Sequence, residues 1–556
     1  MHPRSKQWHL LDYVIVRQRD WKDVLSTRAM RGATCWSDHR LIRSKMCIQL
    51  AKKKNPARPK PPKKLNVGCI PSRKTELQQV IHDSLEANPI SEDADIETAW
   101  KTLHDTIYKA AADTTGFVAR THKDWFDEND GEINDLLETL HIKHAEYIAN
   151  KTCQQKKDSY KQWKQVVQLK LRDMKNAWWE KKSQELQVAA DTHHMKSFHE
   201  GLRAVYGPKT SGTTPVRSAD QTILLTDKRD ILSRWAEHFN SLLNRHSEIS
   251  DEAIDSLPQL PPDDSLANLP TGAELRKALK QTTSGKSPGA DGIPAEIYKN
   301  GGEALEDSVL ALFKLIWVKG FVPQDFKNAT IVHIYKRKGD KTSCDNHRGI
   351  SLLCIAGKIL ARIVLNRIIN TQVIPEAQCG FRSGRGTCDM VFAIHQLQEK
   401  CCEQNMELHM VFVDLTKAFD TVSRQGLWKV LEKFGCSAKL IELISSFHNG
   451  MQACVQEAAE TSEPFPVDNG VKQGCVLAPT LFSIFFAAML IDAFGDCDRG
   501  VFIQYRTDGN LFNLRRLKAK FKVCEVLLRE FLFADDCALV AHLLEDMQDK
   551  PFCHIM

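Results

Sequence analysis

Near its C-terminal end the chain reads Phe531-Leu532-Phe533-Ala534-Asp535-Asp536-Cys537-Ala538-Leu539-Val540, two adjacent carboxylates between two apolar runs. Each run has the length and composition of a buried strand. Adjacent ionised carboxylates repel, and burying them without compensation is costly. A bound cation is one compensation. A helix N-cap is another, because Ala538 to Leu544 could continue as a helix behind the two aspartates. A second stretch has the same texture: Met410-Val411-Phe412-Val413-Asp414, an apolar run closed by a carboxylate. Laid side by side as strands, the two would bring Asp414 and Asp535 to one spot, as a two-metal site for phosphoryl transfer requires. Alone, the stretch leaves both readings open.

A length of 556 residues suggests three or four structural units at roughly 150 residues each. No unbroken apolar run is long enough to span a bilayer. Met1 to Lys6 leads into no signal-type segment. The 17 cysteines are scattered, odd in number and without a Cys-x-x-Cys spacing. That pattern fits reduced thiols better than a disulfide framework or a zinc knuckle. The expectation is an intracellular protein, nuclear or cytoplasmic, with no membrane contact. The net charge of +6 is unevenly spread: residues 1–65 hold 17 Lys and Arg against 4 Asp and Glu, which leaves the remainder at −7. A basic arm suits a polyanion such as nucleic acid, and a solvated linker explains its last part equally well.

In chain order, Leu10 to Val16 has the look of a strand carrying Asp12, and Trp36-Ser37-Asp38-His39-Arg40 of a polar loop. Ala51 to Lys64 is a Lys/Pro-rich linker. Residues 73–205 turn helical, with neither Gly nor Pro between Glu132 and Glu200 and apolar residues at three- and four-residue steps. There Lys170, Arg172, Lys175, Lys181 and Lys182 surround Trp178-Trp179. They form either an aromatic–basic nucleic-acid surface or a solvated face with both indoles packed inward. The Pro-rich Leu257 to Asp264 marks a boundary.

Beyond it, Ser284 to Pro294 is a Gly/Pro turn cluster ahead of a helix starting near Ala295. Gly285-Lys286-Ser287 lacks the upstream glycine and the preceding strand of a phosphate loop, which excludes a nucleoside triphosphatase of that type. Thr330 to Tyr335 and Asn346 to Leu352 form a candidate hairpin with Lys336 on one arm and Arg348 on the other. It is a triphosphate clamp or a charged surface hairpin. Gly380 to Gly386 is a basic Gly-rich loop opening a helix over Thr387 to Lys400, suited to a nucleic-acid phosphate. Asp414 is followed by Leu415-Thr416-Lys417-Ala418-Phe419-Asp420. Gly470 to Thr480, containing Gln473 and Gly474, leads into an apolar helix from Leu481 to Phe494.

In this order the blocks resemble a reverse transcriptase of the non-long-terminal-repeat, LINE-type retrotransposons. The wording Arg-Gly-Ile-Ser-Leu-Leu and Phe-Val-Asp-Leu-Thr-Lys-Ala-Phe-Asp is similar to the RTE-like branch. The resemblance spans roughly residues 265–540. It implies an α+β fold, the fingers and palm of a right-hand polymerase, preceded by a mostly helical extension. Asp414 and Asp535 would hold two Mg²⁺ ions (or Mn²⁺), with Asp536 as acidic neighbour and the Leu415 carbonyl as a further ligand. Lys336 and Arg348 would grip the dNTP triphosphate, Gln473 and Gly474 would lie over nucleotide and template, and Phe419 would exclude a 2′-hydroxyl. The partners implied are an RNA template and a DNA primer.

Residues 1–50 resemble the C-terminal end of an endonuclease of the exonuclease–endonuclease–phosphatase family. By that likeness His39 would be the base or transition-state stabiliser, Asp12 its orienting partner and Asp38 a metal or water ligand. Fifty residues cannot build that sandwich, so an inactive remnant is expected. Only 20 residues follow Asp536, and the resemblance implies that the primer grip and thumb are missing. The expected layout is remnant 1–50, linker 51–65, helical extension 66–264 and fingers and palm 265–556. The expected function is RNA-directed DNA polymerisation, impaired by truncation. The alternative is a non-catalytic nucleic-acid-binding relic.

Overall fold

The computed structural model describes residues 13–34, 40–47, 64–89, 94–118, 125–150, 152–192, 194–206, 214–245, 249–370, 377–415, 417–457, 460–494, 499–505 and 524–548. Two compact units result, Met1–Lys60 and Pro61–Met556.

In the first unit, strands β1 (Val24–Thr34) and β2 (Arg40–Met46) pair antiparallel, Thr27 opposite Ser44 and Ala29 opposite Ile42. The strand expected over Leu10 to Val16 is not found where that run is described: Tyr13 to Val16 has no regular structure. Tyr13 and Ile15 stand exposed to solvent. Among the described residues no strand pairs with this segment, and a β-rich run is stable as a strand only within a ladder.

The second unit begins with α1 (Ile70–Glu86) and α2 (Ile96–Thr115). Leu77, Ile81 and Leu85 recur every four residues and make one buried face of α1. Asp95 caps α2 by accepting the Thr98 amide, and Gly116, at φ 64°, ends it. Both helices share one hydrophobic core with residues far downstream, including Phe313, Trp317, Ile359, Leu431 and Leu481. Polar bonds reinforce the joint. Trp100 Nε1 donates to Asp325 (2.9 Å) and Lys319 Nζ to the Ala94 carbonyl (2.7 Å). The structural divide therefore falls between Lys60 and Pro61, and the core runs across residue 265.

Helices α3 (Asp130–Ala149) and α4 (Gln154–Asp191) meet over a small core of their own, Leu136, Leu140 and Val167 with Trp163 and Met174 against it. Of the two adjacent indoles, Trp178 is buried and Trp179 is 45% exposed. Consecutive helical residues point about 100° apart, so both cannot face one seam.

Two sheets position the chemistry. In the first, β3 (Ala329–Tyr335) and β4 (His347–Leu352) form the expected hairpin, and Gln452–Glu457 joins β3 in parallel. Trp235 and Phe239, from the helix Lys228–Leu243, pack on it. The second contains β5 (His409–Asp414), β6 (Glu530–Phe533) and β7 (Asp536–Ala541) in the order β6-β7-β5, all antiparallel. Along β7 the side chains alternate between two cores. Cys537 and Leu539 face the main one, whereas Ala538 and Val540 face a core shared with Leu397 and Cys401 of the helix Thr387–Gln404. A sheet covered on both faces needs apolar residues at every position, which is why this stretch shows no polar alternation. The N-cap alternative fails: Asp536 to Ala541 is a strand. Among the described residues no helix is long and apolar enough to cross a membrane.

Candidate active site

The β6–β7 hairpin closes through two residues, Ala534 and Asp535, since Phe533 pairs with Asp536. Ala534 has φ 59°, a left-handed conformation that costs a residue with a Cβ about 1–2 kcal/mol. Asp536 pairs directly with Asp414 across the β7–β5 ladder. Three carboxylates thus crowd one sheet end. Burial, and then the charges of Asp535 and Asp414, push the Asp536 carboxyl above its ordinary range.

Asp414 and Asp535 open onto a cleft of about 850 Å³, together with Leu415, Phe419, Lys336, Arg348, Gln473 and Gly474. Eight of the nine residues expected in a polymerase site therefore meet in one cavity. Asp536 is the exception: it is exposed and does not line the cleft. Asp535, in the turn, lines the cleft, whereas Asp536, the first residue of β7, does not. Asp12, Asp38 and His39 lie outside the described residues.

Each wall has a local cause. Lys336 follows the last residue of β3, where its amide donates to the Asn346 carbonyl (2.8 Å) and its Nζ to the Asp345 carbonyl (2.9 Å). Arg348 is exposed on β4. The Ser351 amide donates to the Gln473 carbonyl (2.9 Å), which ties the 470–474 loop to β4. Gly474 sits at φ 103°, and a Cβ there would come within 2.6 Å of the Ser351 carbonyl oxygen, so only glycine fits. Phe419 packs on Phe482 (ring centroids 4.7 Å apart) and meets Phe381 edge-on (6.1 Å, 85°).

Sequence reasoning passed over several lining residues. Lys417 pairs with Asp345 (3.2 Å). Asp420 is pushed up to about 6 by burial, against the pull of Lys417 and Lys336. Phe381 belongs to the Gly-rich loop, where only its basic neighbours had drawn notice. Among the described residues no three His, Cys, Asp or Glu side chains gather as a ready metal cage. The fit for a divalent cation rests on the opposed carboxylates. Mg²⁺ takes one or two carboxylates, keeps several waters and completes its shell with substrate phosphates, and Asp414 and Asp535 in one open cleft suit that demand.

The family model described as "Reverse transcriptase (RNA-dependent DNA polymerase)" matches residues 335–550. The RNA-directed DNA polymerase from mobile element jockey of Drosophila funebris is 30% identical over 39% of this chain and 24% of its own length. The putative 115 kDa protein in type-1 retrotransposable element R1DM of Drosophila melanogaster is 31% identical over 39% of this chain and 21% of its own. The chain thus spans about a quarter or less of the length of these relatives. Among solved structures, a telomerase from Candida Tropicalis with a fragment of telomeric RNA covers 41% of this chain and 38% of its own, at 14% identity and a TM-score of 0.27, too distant a likeness to bear on the fold. The matched segment, residues 335–550, encloses every residue of the cleft that sequence reasoning singled out, and it is similar to the reverse transcriptase family and to proteins of retrotransposable elements.

Proposed function

We propose that the chain carries the fingers and palm of an RNA-directed DNA polymerase from a retrotransposon, extending a DNA primer on an RNA template. One observation supports this above all: carboxylates and phosphate-binding cations converge from separate elements on a single cleft bounded by an aromatic wall. Asp414 and Asp535, with the Leu415 carbonyl, would hold two Mg²⁺ ions. Such ions lower the pKa of the primer 3′-hydroxyl and neutralise charge on the leaving pyrophosphate. Lys336 and Arg348 bind and orient the triphosphate by charge-assisted hydrogen bonds. Gln473 and Gly474 cover the nucleotide. Phe419, wedged between Phe381 and Phe482, offers a 2′-hydroxyl no hydrogen-bonding partner. Asp536 tunes the local charge from outside the cleft.

The wording of the Arg348 and Asp414 blocks favours the RTE-like branch of these elements. Residues 1–50, most of the separate unit at 1–60, are read as the endonuclease-like remnant, followed by the basic linker at 51–65.

The test is primer extension on an RNA template with Mg²⁺, comparing the unaltered chain with Asp414→Ala and Asp535→Ala. Each substitution should lower the rate at least a hundredfold, on the scale of losing one preorganised electrostatic group. Equal activity in all three proteins, or none in the unaltered one, would sink the proposal. Salt-sensitive RNA binding without extension would favour the relic instead.

A further inference from the structure

Asp535 faces the cleft only if the two-residue turn before β7 holds its shape, and the residue that fixes that shape is not part of the sheet. Gln378 is 0% exposed and grips Ala534 from both sides. The Ala534 amide donates to Gln378 Oε1 (2.8 Å), and Gln378 Nε2 donates to the Ala534 carbonyl (3.1 Å). That amide belongs to the peptide plane before Ala534 and that carbonyl to the plane leading into Asp535. One side chain therefore anchors both planes between which φ and ψ of Ala534 are defined. The Gly380 amide donates to the same Oε1 (2.8 Å), which holds the side chain in place.

The backbone on either side adds a short parallel bridge. The Leu532 amide donates to the Ala377 carbonyl (3.1 Å), and the Cys379 amide donates to the Leu532 carbonyl (2.9 Å). Gly380 lies against the turn so closely that a Cβ would fall 2.1 Å from the Ala534 nitrogen. A left-handed alanine is kept only where its surroundings over-determine it, and here they do.

We propose that Gln378 is a positioning residue: its bidentate amide clamp on Ala534 sets the direction of the Asp535 carboxylate, and Gly380 is the clearance that lets the clamp close. The inference rests on the polymerase reading for its effect on rate, but the clamp can be measured without it.

The experiment takes the full chain, Gln378→Ala, Gly380→Ala and the double variant Gln378→Ala/Ala534→Gly. It reads single-nucleotide extension, Mn²⁺ affinity by electron paramagnetic resonance, and hydrogen exchange across residues 530–541. For Gln378→Ala, kcat should fall about a hundredfold, the cost of a displacement of roughly 1 Å. KM for dNTP should stay within about threefold, and exchange in the turn should speed up at least tenfold. Glycine at 534 removes the strain the clamp opposes, so the double variant should recover about a tenfold share of kcat. Gly380→Ala, which would push its Cβ against the Ala534 nitrogen beside the clamp, should weaken Mn²⁺ binding in parallel with kcat, and it serves alone if Gln378→Ala does not fold.

Turn exchange and Mn²⁺ affinity unchanged in a folded Gln378→Ala or Gly380→Ala would overturn the clamp, whatever the activity. If the unaltered chain extends no primer while turn exchange still rises in the variants, the clamp stands and the polymerase reading fails.

Discussion

Asp291 is buried without an ion pair among the described residues; His104 is the titratable group that attracts it. Asp291 sits inside the Gly/Pro turn cluster, which packs on Leu353 and Cys354 so tightly that a Cβ on Gly289 would come within 2.6 Å of the Cys354 nitrogen. The Cys354 thiol donates to Asp291 Oδ2 (3.5 Å), while Oδ1 has no partner. Burial pushes the carboxyl up from 3.8 to about 6. The folded state thus holds the proton longer than the unfolded chain. The stabilisation is complete below about pH 3.8 and is lost as pH rises through about 6. Two pKa units correspond to roughly 3 kcal/mol. Asp291→Asn keeps the shape and removes the titration. In urea unfolding, the unaltered protein should therefore lose roughly 3 kcal/mol relative to the variant between pH 4 and pH 7. A constant difference at both pH values would refute the assignment. At this scale the sequence was readable where charge met an apolar run, as at Asp414 and Asp535. Gln378 was not readable: one amide in Ala-Gln-Cys-Gly-Phe has neither charge nor periodicity to mark it, and its meaning lies in a turn 156 residues away.

At the scale of elements, the strands around the carboxylates were legible from their apolar runs; β7 is buried on both faces, which leaves no polar alternation to confuse it with a surface strand. The order of those strands was not, since apolar composition does not say which neighbour a strand takes. Among the described residues β5 is the edge of its sheet, and Phe412 on it is 68% exposed. An apolar edge invites pairing with other chains. Phe412→Lys should leave unfolding within about 0.5 kcal/mol of the unaltered protein while raising the concentration at which aggregation begins, measured by light scattering. A loss of several kcal/mol would mean that Phe412 is buried against another part of the chain in solution. Tyr13 to Val16 shows the converse: β-rich composition alone does not make a strand.

For the molecule as a whole, the helical texture of residues 73–205 was readable, but not what the buried faces of α1 and α2 pack against. The answer is the core that also carries β6 and β7 through Leu532, Cys537 and Leu539. Trp100→Ala removes a fully buried ring from α2 and should destabilise by about 3–5 kcal/mol. Because the core is shared, hydrogen exchange should accelerate in residues 409–414 and 530–541 as well as in α2. Acceleration confined to residues 70–115 would show that the helices are a separate layer.

The same connectedness appears in miniature at the cleft. Residues 378–381 touch the carboxylate turn through Gln378 and Gly380, and the aromatic wall through Phe381 against Phe419. Four consecutive residues therefore join the proposed seat of a cation to the proposed seat of a sugar. By reciprocity of binding free energies, whatever factor an occupied sugar pocket lends to cation affinity, an occupied cation site returns to the nucleotide. Saturating either site would then tighten the other by the same factor.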